Sequence, residues 1–271
     1  MTSLIYGTAW KEDKTQSLTQ AALEAGFRGI DTANQRKHYF EEAVGAGVSA
    51  FLDKTPSVLR KDLFLQTKFT YQRGQDHRLP YDPKSPVAVQ VRQSFASSLQ
   101  HLQTDYLDSY LLHGPFSGMD LTEEDHQVWR VLEELHAEKR VLKIGVSNFS
   151  LEQLELLFGF AKTPPAFIQN RCFARSGWDF HIRAFCRQNK MSYQGFSLLT
   201  ANVNELESPV IDSIAQKYDA TLPQLVFRFS QQVGMIPLTG TTDPTHMRED
   251  LRTGFDLSAN DIEQIERIGL R

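Results

Sequence analysis

Four side chains of types used in acid–base chemistry occur in order along the first half of the chain: Asp31, Tyr39, Lys68 and His113. A carboxylate, a phenol, an ammonium and an imidazole could together deliver a proton to an oxygen on which negative charge develops. Each residue also has an ordinary structural explanation, as a loop cap, a packing ring, a solvated strand-end charge or a structural hydrogen-bonding group. What matters is therefore whether the fold brings the four side chains to one site.

The four types would have different tasks. A tyrosine with a pKa of about 10 is a weak proton donor at neutral pH, and an adjacent ammonium would lower that pKa by stabilising the phenolate, which is the task predicted for Lys68. A buried Lys68 would need the carboxylate of Asp31 to stay charged. His113 could donate a hydrogen bond to the same oxygen. No HxH or HExxH ligand pattern competes for these residues, so we predict no metal.

Eight short apolar runs, each followed by a helical pattern, must position these residues. The predicted strands are SLIYGTA, RGIDTA, LFLQTKF, YLDSYLLH, KIGVSNF, AFIQNRC, SYQGFSLL and MIPLTG, and an extra helix, SANDIEQIERIG, follows the last unit. Eight such units indicate a (β/α)8 barrel spanning residues 1–271 as a single domain, and the absence of a GxGxxG motif argues against a dinucleotide-binding open sheet. In a barrel, the carboxyl ends of the strands converge on one site, which is where the four residues fall.

Composition restricts the partners. The net charge of −4 argues against a nucleic-acid binder, and no apolar run is long enough to cross a membrane. The N-terminus lacks the pattern of a secretory signal, and two cysteines make no disulfide framework, so we expect a cytoplasmic protein. The expected partner is a small molecule, with a monomer as the default oligomeric state.

Successive blocks of the chain resemble the aldo-keto reductases. GFRGIDTA, LQTKF, LDSYLLHGP and GVSNFS match that family's blocks in order, and a KHY run with a GQD…PYDP loop suggests one of its subgroups. The resemblance implies a nicotinamide-dependent barrel enzyme that reduces a carbonyl group to an alcohol. Tyr39 would donate the proton, Lys68 and Asp31 would be its partners, and His113 would orient the substrate carbonyl.

The resemblance also implies cofactor contacts along the later strand ends. Ser147, Asn148 and Gln169 would hold the nicotinamide carboxamide, and Phe196 would replace the tyrosine that usually stacks on the ring. The remaining candidates are Thr8, Ser197, Leu199, Gly240, Thr241, Thr242, His246 and Glu249. The segment TGTTDPTHMREDL would bring helix N-terminal amides to a phosphate. The family's usual Lys-Ser and Arg grip on the 2′-phosphate is missing, so NADPH is expected from the resemblance and NADH stays open.

Aromatic residues at loop starts suggest an apolar substrate pocket: Trp10, Phe69, Tyr71 and Phe116. Ordinary packing is the alternative for each. The long polar loop of residues 70–85, with Arg73, His77 and Arg78, would favour acidic substrates if it covers the pocket, or it is a solvated loop with incidental charge.

The spacing of the proton donor is unusual for the family. Five positions after Asp31, where the family places its tyrosine, stands Arg36, which cannot donate a proton. A loop three residues longer would return Tyr39 to the site, as the following EEAVG suggests. Two other functions stay open, namely a cofactor-sensing or regulatory barrel of the same family and a non-redox barrel enzyme.

Overall fold

The computed structural model describes residues 2–118 and 120–270. Eight parallel strands form a closed barrel in chain order, with the first strand also paired to the last. They are β1 (Ile5–Gly7), β2 (Gly29–Asp31), β3 (Phe64–Phe69), β4 (Leu107–Leu112), β5 (Val141–Ser147), β6 (Phe167–Arg171), β7 (Ser192–Phe196) and β8 (Met235–Thr239). Seven of them lie within their predicted apolar runs, β5 begins two residues before its predicted run KIGVSNF, and the (β/α)8 prediction is confirmed.

Helices surround the barrel. They are α1 (Thr15–Ala25), α2 (Glu41–Lys54), α3 (Val87–His101), α4 (Glu123–Ala137), α5 (Leu151–Phe160), α6 (Phe180–Gln188), α7 (Val203–Leu206), α8 (Pro209–Lys217), α9 (Leu222–Gln232), α10 (Pro244–Asp250) and α11 (Ala259–Arg267). Three helices connect β7 to β8, and α11 is the predicted extra helix. No helix in these described ranges is long and apolar enough to span a membrane.

Local sequence explains where the helices begin. Ser150 caps α5: its hydroxyl accepts a hydrogen bond from the Gln153 amide while the Gln153 side chain accepts one from the Ser150 amide. Thr122 and Asp125 form the same reciprocal box at the start of α4. These caps satisfy amides that the first helical turn leaves without partners, and they fix where the chain turns from strand end into helix.

The strand register determines which side chains meet inside the barrel. Asp31 on β2 is paired with Gln66 on β3, and Gln169 on β6 is paired with Gln194 on β7. All four side chains are buried. Because side chains alternate along a strand, Gln66 and Lys68 face the barrel interior while Phe69 faces the helices. A polar layer thus lies directly below the carboxyl ends of the strands.

Candidate active site

A cavity of about 620 Å³ opens at the carboxyl ends of the strands. It brings together most of the residues that the sequence singled out. Its lining includes Trp10, Asp31, Tyr39, His113, Ser147, Gln169, Phe196, Ser197, Leu199, Gly240, Thr241, Thr242, His246 and Glu249. The pocket is large enough for a dinucleotide end and a small substrate.

Asp31 and Lys68 form a buried ion pair below this cavity. The Lys68 ammonium donates to Asp31 Oδ1 at 2.8 Å, to Asp31 Oδ2 at 2.7 Å and to the backbone oxygen of Thr32 at 2.8 Å. These three bonds use all three N–H groups of the ammonium. Burial lowers the pKa of Lys68, and the Asp31 carboxylate opposes that shift. The Asp31 carboxylate thus favours the charged form of this fully buried lysine.

Tyr39 lies at the cavity beside this pair. The Lys68 nitrogen is 5.4 Å from the centre of the Tyr39 ring, and the rings of Tyr39 and His113 meet edge to face at 5.9 Å. Burial, reinforced by the Asp31 charge, raises the pKa of Tyr39 above its ordinary value. The sequence predicted the opposite shift. The difference arises because burial disfavours the charged phenolate and the Asp31 carboxylate repels it, while Asp31 and Thr32 already use every N–H of Lys68.

Arg36, the competing residue, is turned away from the cavity. Its guanidinium lies 4.1 Å from the centre of the Phe40 ring and 3.7 Å from the Glu12 carboxylate. The longer loop is held against the segment that follows β1 by a hydrogen bond from the Trp10 amide to the His38 backbone oxygen. That bond brings the next residue, Tyr39, round to the strand ends. The geometry therefore favours Tyr39 over Arg36 as the group beside Lys68 and His113.

His113 is neutral and has an assignable tautomer. Burial and the nearby Lys68 and His38 hold its pKa well below the ordinary value. Its Nδ1 is 2.7 Å from the Thr70 hydroxyl, which makes no other side-chain hydrogen bond within residues 2–118 and 120–270. We assign the hydroxyl as the donor, because a protonated Nδ1 would leave the Thr70 proton without an acceptor. Nε2 then carries the proton and can donate into the cavity. Sequence analysis missed Thr70, although it stands two residues after Lys68.

The residues predicted to hold the nicotinamide carboxamide already use part of their hydrogen-bonding capacity within the protein. Asn148, in a left-handed backbone conformation, donates from Nδ2 to the His113 backbone oxygen at 2.8 Å and to the Ser147 hydroxyl at 3.1 Å. Gln169 donates from Nε2 to Asp31 and Gln194. Both amides therefore have their side-chain oxygens available as acceptors. Asn148 and Thr8 both lie outside the cavity lining, and the Thr8 hydroxyl instead donates to the Asp31 backbone oxygen at 2.9 Å.

Lys11 lines the cavity and was missed from the sequence. Its side chain is only 6% exposed, yet it forms no ion pair with a carboxylate in the described ranges. The ammonium donates to the Gly240 backbone oxygen at 2.7 Å, and burial lowers its pKa to about 8. A buried cation with unused N–H groups, beside Gly240–Thr242, is suited to an anionic ligand. Lys11 could have been identified from the sequence as the basic residue that directly follows Trp10 in the run TAWK.

The start of α10 is less open to a phosphate than the sequence suggested. The Asp243 side chain caps this helix by accepting a hydrogen bond from the Thr245 amide at 2.7 Å. That carboxylate already uses one of the free amides and adds negative charge there. Lys11 is consequently the better-placed anion partner in this part of the cavity.

Of the four aromatic residues predicted to line a substrate pocket, only Trp10 does so. Its indole is 69% exposed and lies 4.0 Å from the His38 ring, centre to centre. Phe69 and Tyr71 are buried in the core, and Phe116 packs edge-on against Tyr71 outside the cavity lining. The prediction for these three is wrong because the alternation of β3 directs Phe69, and the packing that continues from it, toward the helices.

The loop of residues 70–85 is ordered by its own contacts. Tyr81 is buried and donates to the Thr70 backbone oxygen at 2.8 Å, while Arg78 pairs with Asp76 and Arg73 donates to the backbone oxygen of Pro115. Two of the three basic side chains are therefore already engaged. These contacts favour the view that the charges of this loop are incidental to the substrate.

Comparison with known proteins shows which family the chain belongs to. A model of the Aldo/keto reductase family matches residues 3–269. The glyoxal reductase of Bacillus subtilis is 30% identical over 258 residues, covering 94% of this chain and 83% of its own. The methylglyoxal reductase of Escherichia coli is 28% identical over 263 residues, covering 96% and 86%. An aldo-keto reductase solved with NADPH superposes with a TM-score of 0.85 at 25% identity, covering 100% of this chain and 86% of its own. The chain therefore belongs to the aldo/keto reductase family, whose members named here are oxidoreductases.

Proposed function

We propose that this protein uses NADPH to reduce a small aldehyde or ketone to an alcohol, with Tyr39 as the proton donor. The observation that carries the proposal is the arrangement of Tyr39 between the buried Asp31–Lys68 pair and the neutral His113 at one end of the cavity. A protonated phenol beside a neutral imidazole donor is suited to an oxygen that gains negative charge.

The residues of the chain would act on the carbonyl oxygen. Bound NADPH supplies a hydride to the carbonyl carbon. His113 Nε2–H and the Tyr39 hydroxyl both donate to the oxygen, and the Tyr39 proton moves to it as the carbon–oxygen double bond becomes single. The phenolate left behind lies close to the Lys68 ammonium, whose charge offsets it. The high pKa of Tyr39 before reaction keeps this proton in place until an alkoxide develops.

The cavity fits a nicotinamide dinucleotide in three respects. Gln169 keeps an acceptor oxygen for a carboxamide, the Phe196 ring offers an aromatic surface, and Lys11 supplies a cation for a phosphate. Asn148, beside the cavity-lining Ser147, would complete the carboxamide contacts. The NADPH complex of the structural neighbour supports the phosphorylated cofactor. Membership of the KHY subgroup, which the sequence suggested, remains part of this proposal.

The named relatives suggest the substrate class. Glyoxal reductase and methylglyoxal reductase point to small, reactive dicarbonyl compounds. A compact substrate also suits a site whose aromatic wall is Trp10 alone among the four predicted residues. The test is oxidation of NADPH and of NADH by the purified protein with glyoxal, methylglyoxal and a simple aromatic aldehyde, followed by cofactor absorbance.

The result expected is consumption of NADPH with at least one dicarbonyl, and its loss in Tyr39→Phe. Binding of NADPH, seen by quenching of tryptophan fluorescence, without turnover of any carbonyl would overturn the enzyme proposal and favour the cofactor-sensing alternative. Turnover with NADH alone would overturn only the choice of cofactor.

A further inference from the structure

Three glutamine side chains fill the barrel interior directly below the catalytic groups. Gln66 on β3, Gln169 on β6 and Gln194 on β7 are 0%, 2% and 0% exposed. An amide buried in this way is unfavourable unless its hydrogen bonds are satisfied, and leucine or methionine would fill the same space without that requirement. The three amides therefore call for an explanation beyond packing.

The amides form one closed network that ends on the Asp31 carboxylate. Gln66 Nε2 donates to Asp31 Oδ1 at 2.7 Å, and Gln169 Nε2 donates to the same oxygen at 3.0 Å. Gln66 and Gln194 also pair reciprocally, through bonds of 2.7 and 3.1 Å. Gln194 Oε1 accepts a second bond, from Gln169 Nε2 at 2.9 Å. Four strands are joined in this way, β2 and β3 on one side of the barrel and β6 and β7 on the other.

The charge of Asp31 fixes the orientation of every amide in the network. An ionised carboxylate only accepts hydrogen bonds, so Gln66 and Gln169 must both turn their NH₂ groups toward it. Gln66 Oε1 is then the acceptor for Gln194 Nε2, and Gln194 Oε1 must face the NH₂ groups of its two neighbours. Rotating any one amide by half a turn would bring two oxygens or two NH₂ groups together.

The network determines what Gln169 presents to the cavity. Its Nε2 is fully used by Asp31 and Gln194, and its Oε1 takes part in none of these bonds. Since Gln169 lines the cavity, Oε1 is the atom available to a ligand there. A flipped Gln169 would offer NH₂ instead, but it would place its oxygen against Asp31 Oδ1 and Gln194 Oε1.

We propose that Gln66 and Gln194 are positioning residues, which together with Asp31 fix the orientation of the Gln169 amide and hold its Oε1 as an acceptor for the carboxamide NH₂ of the cofactor. The inference rests on the proposed use of a nicotinamide cofactor. It assigns a role to two residues that do not touch substrate or cofactor, and it makes one carboxylate organise both the proton-donor side and the cofactor side of the site.

The test compares two cofactors that differ only in the carboxamide. NADPH has an NH₂ group that can donate to Gln169 Oε1, whereas the reduced 3-acetylpyridine analogue has a methyl group in its place. The dissociation constants of both are measured by fluorescence for the wild-type protein, Gln194→Met and Gln66→Met. Gln153→Met is the matched control, because Gln153 is a buried amide, 2% exposed, that caps α5 away from this network.

Wild-type protein and the control should bind NADPH about tenfold more tightly than the analogue, the size expected for one hydrogen bond in a binding site. Gln194→Met should lose most of this preference because it binds NADPH more weakly, while its dissociation constant for the analogue changes by less than about twofold. Gln66→Met breaks the same chain of orientations at another strand, so it provides the answer if Gln194→Met does not fold.

Equal weakening of both cofactors in the two variants would overturn the inference, because a merely structural role cannot distinguish NH₂ from methyl. An unchanged preference would overturn it as well. In both cases wild-type turnover of NADPH leaves the proposed function standing. A wild-type protein that binds neither cofactor would instead refute the proposed function and this inference together.

Discussion

Replacing Asp31 by asparagine should leave a lysine buried without its counter-ion. The substitution keeps the size of the side chain, but it removes the negative charge and replaces one of the two oxygens that accept Lys68 N–H bonds by an NH₂ group. Lys68 is 0% exposed, so it cannot recover these bonds from water. The folded variant must hold an unpaired ammonium or release its proton.

Releasing the proton sets the size of the effect. Keeping a lysine with an ordinary pKa of about 10.4 neutral at pH 7 costs roughly 4.6 kcal/mol, at about 1.36 kcal/mol per pH unit. Removing one partner of a buried ion pair typically lowers the free energy of unfolding by about 3–5 kcal/mol, which agrees with the cost of keeping Lys68 neutral. We therefore expect the free energy of unfolding of Asp31→Asn to fall by about 4 kcal/mol at pH 7.

The pH dependence identifies the cause. Lys68 in the folded variant has a lower pKa than in the unfolded chain, so the unfolded chain binds more protons and stability rises with pH. Between pH 7 and pH 9 the deficit should shrink by about 2.7 kcal/mol relative to wild type. Urea denaturation of both proteins at each pH measures it. The double variant Asp31→Asn/Lys68→Met is the control, and it should recover most of the stability without activity. A deficit that is the same at both pH values would refute the reasoning.

Three further predictions concern the site. Tyr39→Phe should lower kcat by about 10²–10⁴ with the dissociation constant of NADPH within about twofold of wild type, and near-normal turnover would mean that the proton has another source. Because burial lowers the pKa of Lys11 to about 8, the free protein loses this charge as pH rises through 8, and its affinity for NADPH should fall with it. Lys11→Met should bind NADPH more weakly at pH 7 and lose that pH dependence. If the affinity of the variant still falls through pH 8, Lys11 is not the group that binds the cofactor phosphate. Thr70→Val removes the hydroxyl that fixes the His113 tautomer and should lower kcat about tenfold, with Thr70→Ser restoring it; a valine variant as active as wild type would exclude that role.

Much of the barrel and part of the site followed from local sequence. The strands could be recognised because each apolar run is short and bounded. The Asp31–Lys68 pair could be predicted because both residues lie at or next to the carboxyl ends of their strands. Phe69 was misjudged, although alternation from Lys68 would have placed it outside the barrel. Gln66 and Gln194 were visible as polar residues within buried strands. Their partners were not, because the register across the barrel sets them and no local pattern encodes it.

The Asp31 carboxylate explains why these features depend on each other. Within residues 2–118 and 120–270 its Oδ2 accepts only from Lys68, whereas its Oδ1 accepts from Lys68, Gln66 and Gln169. The amide donors stabilise the negative charge independently of the lysine, so the carboxylate keeps hydrogen-bond donors while the ammonium offsets a phenolate at Tyr39. A carboxylate held by the lysine alone would have its charge balanced by that group only. The glutamine network thus allows one buried charge to serve proton transfer on one side and cofactor orientation on the other.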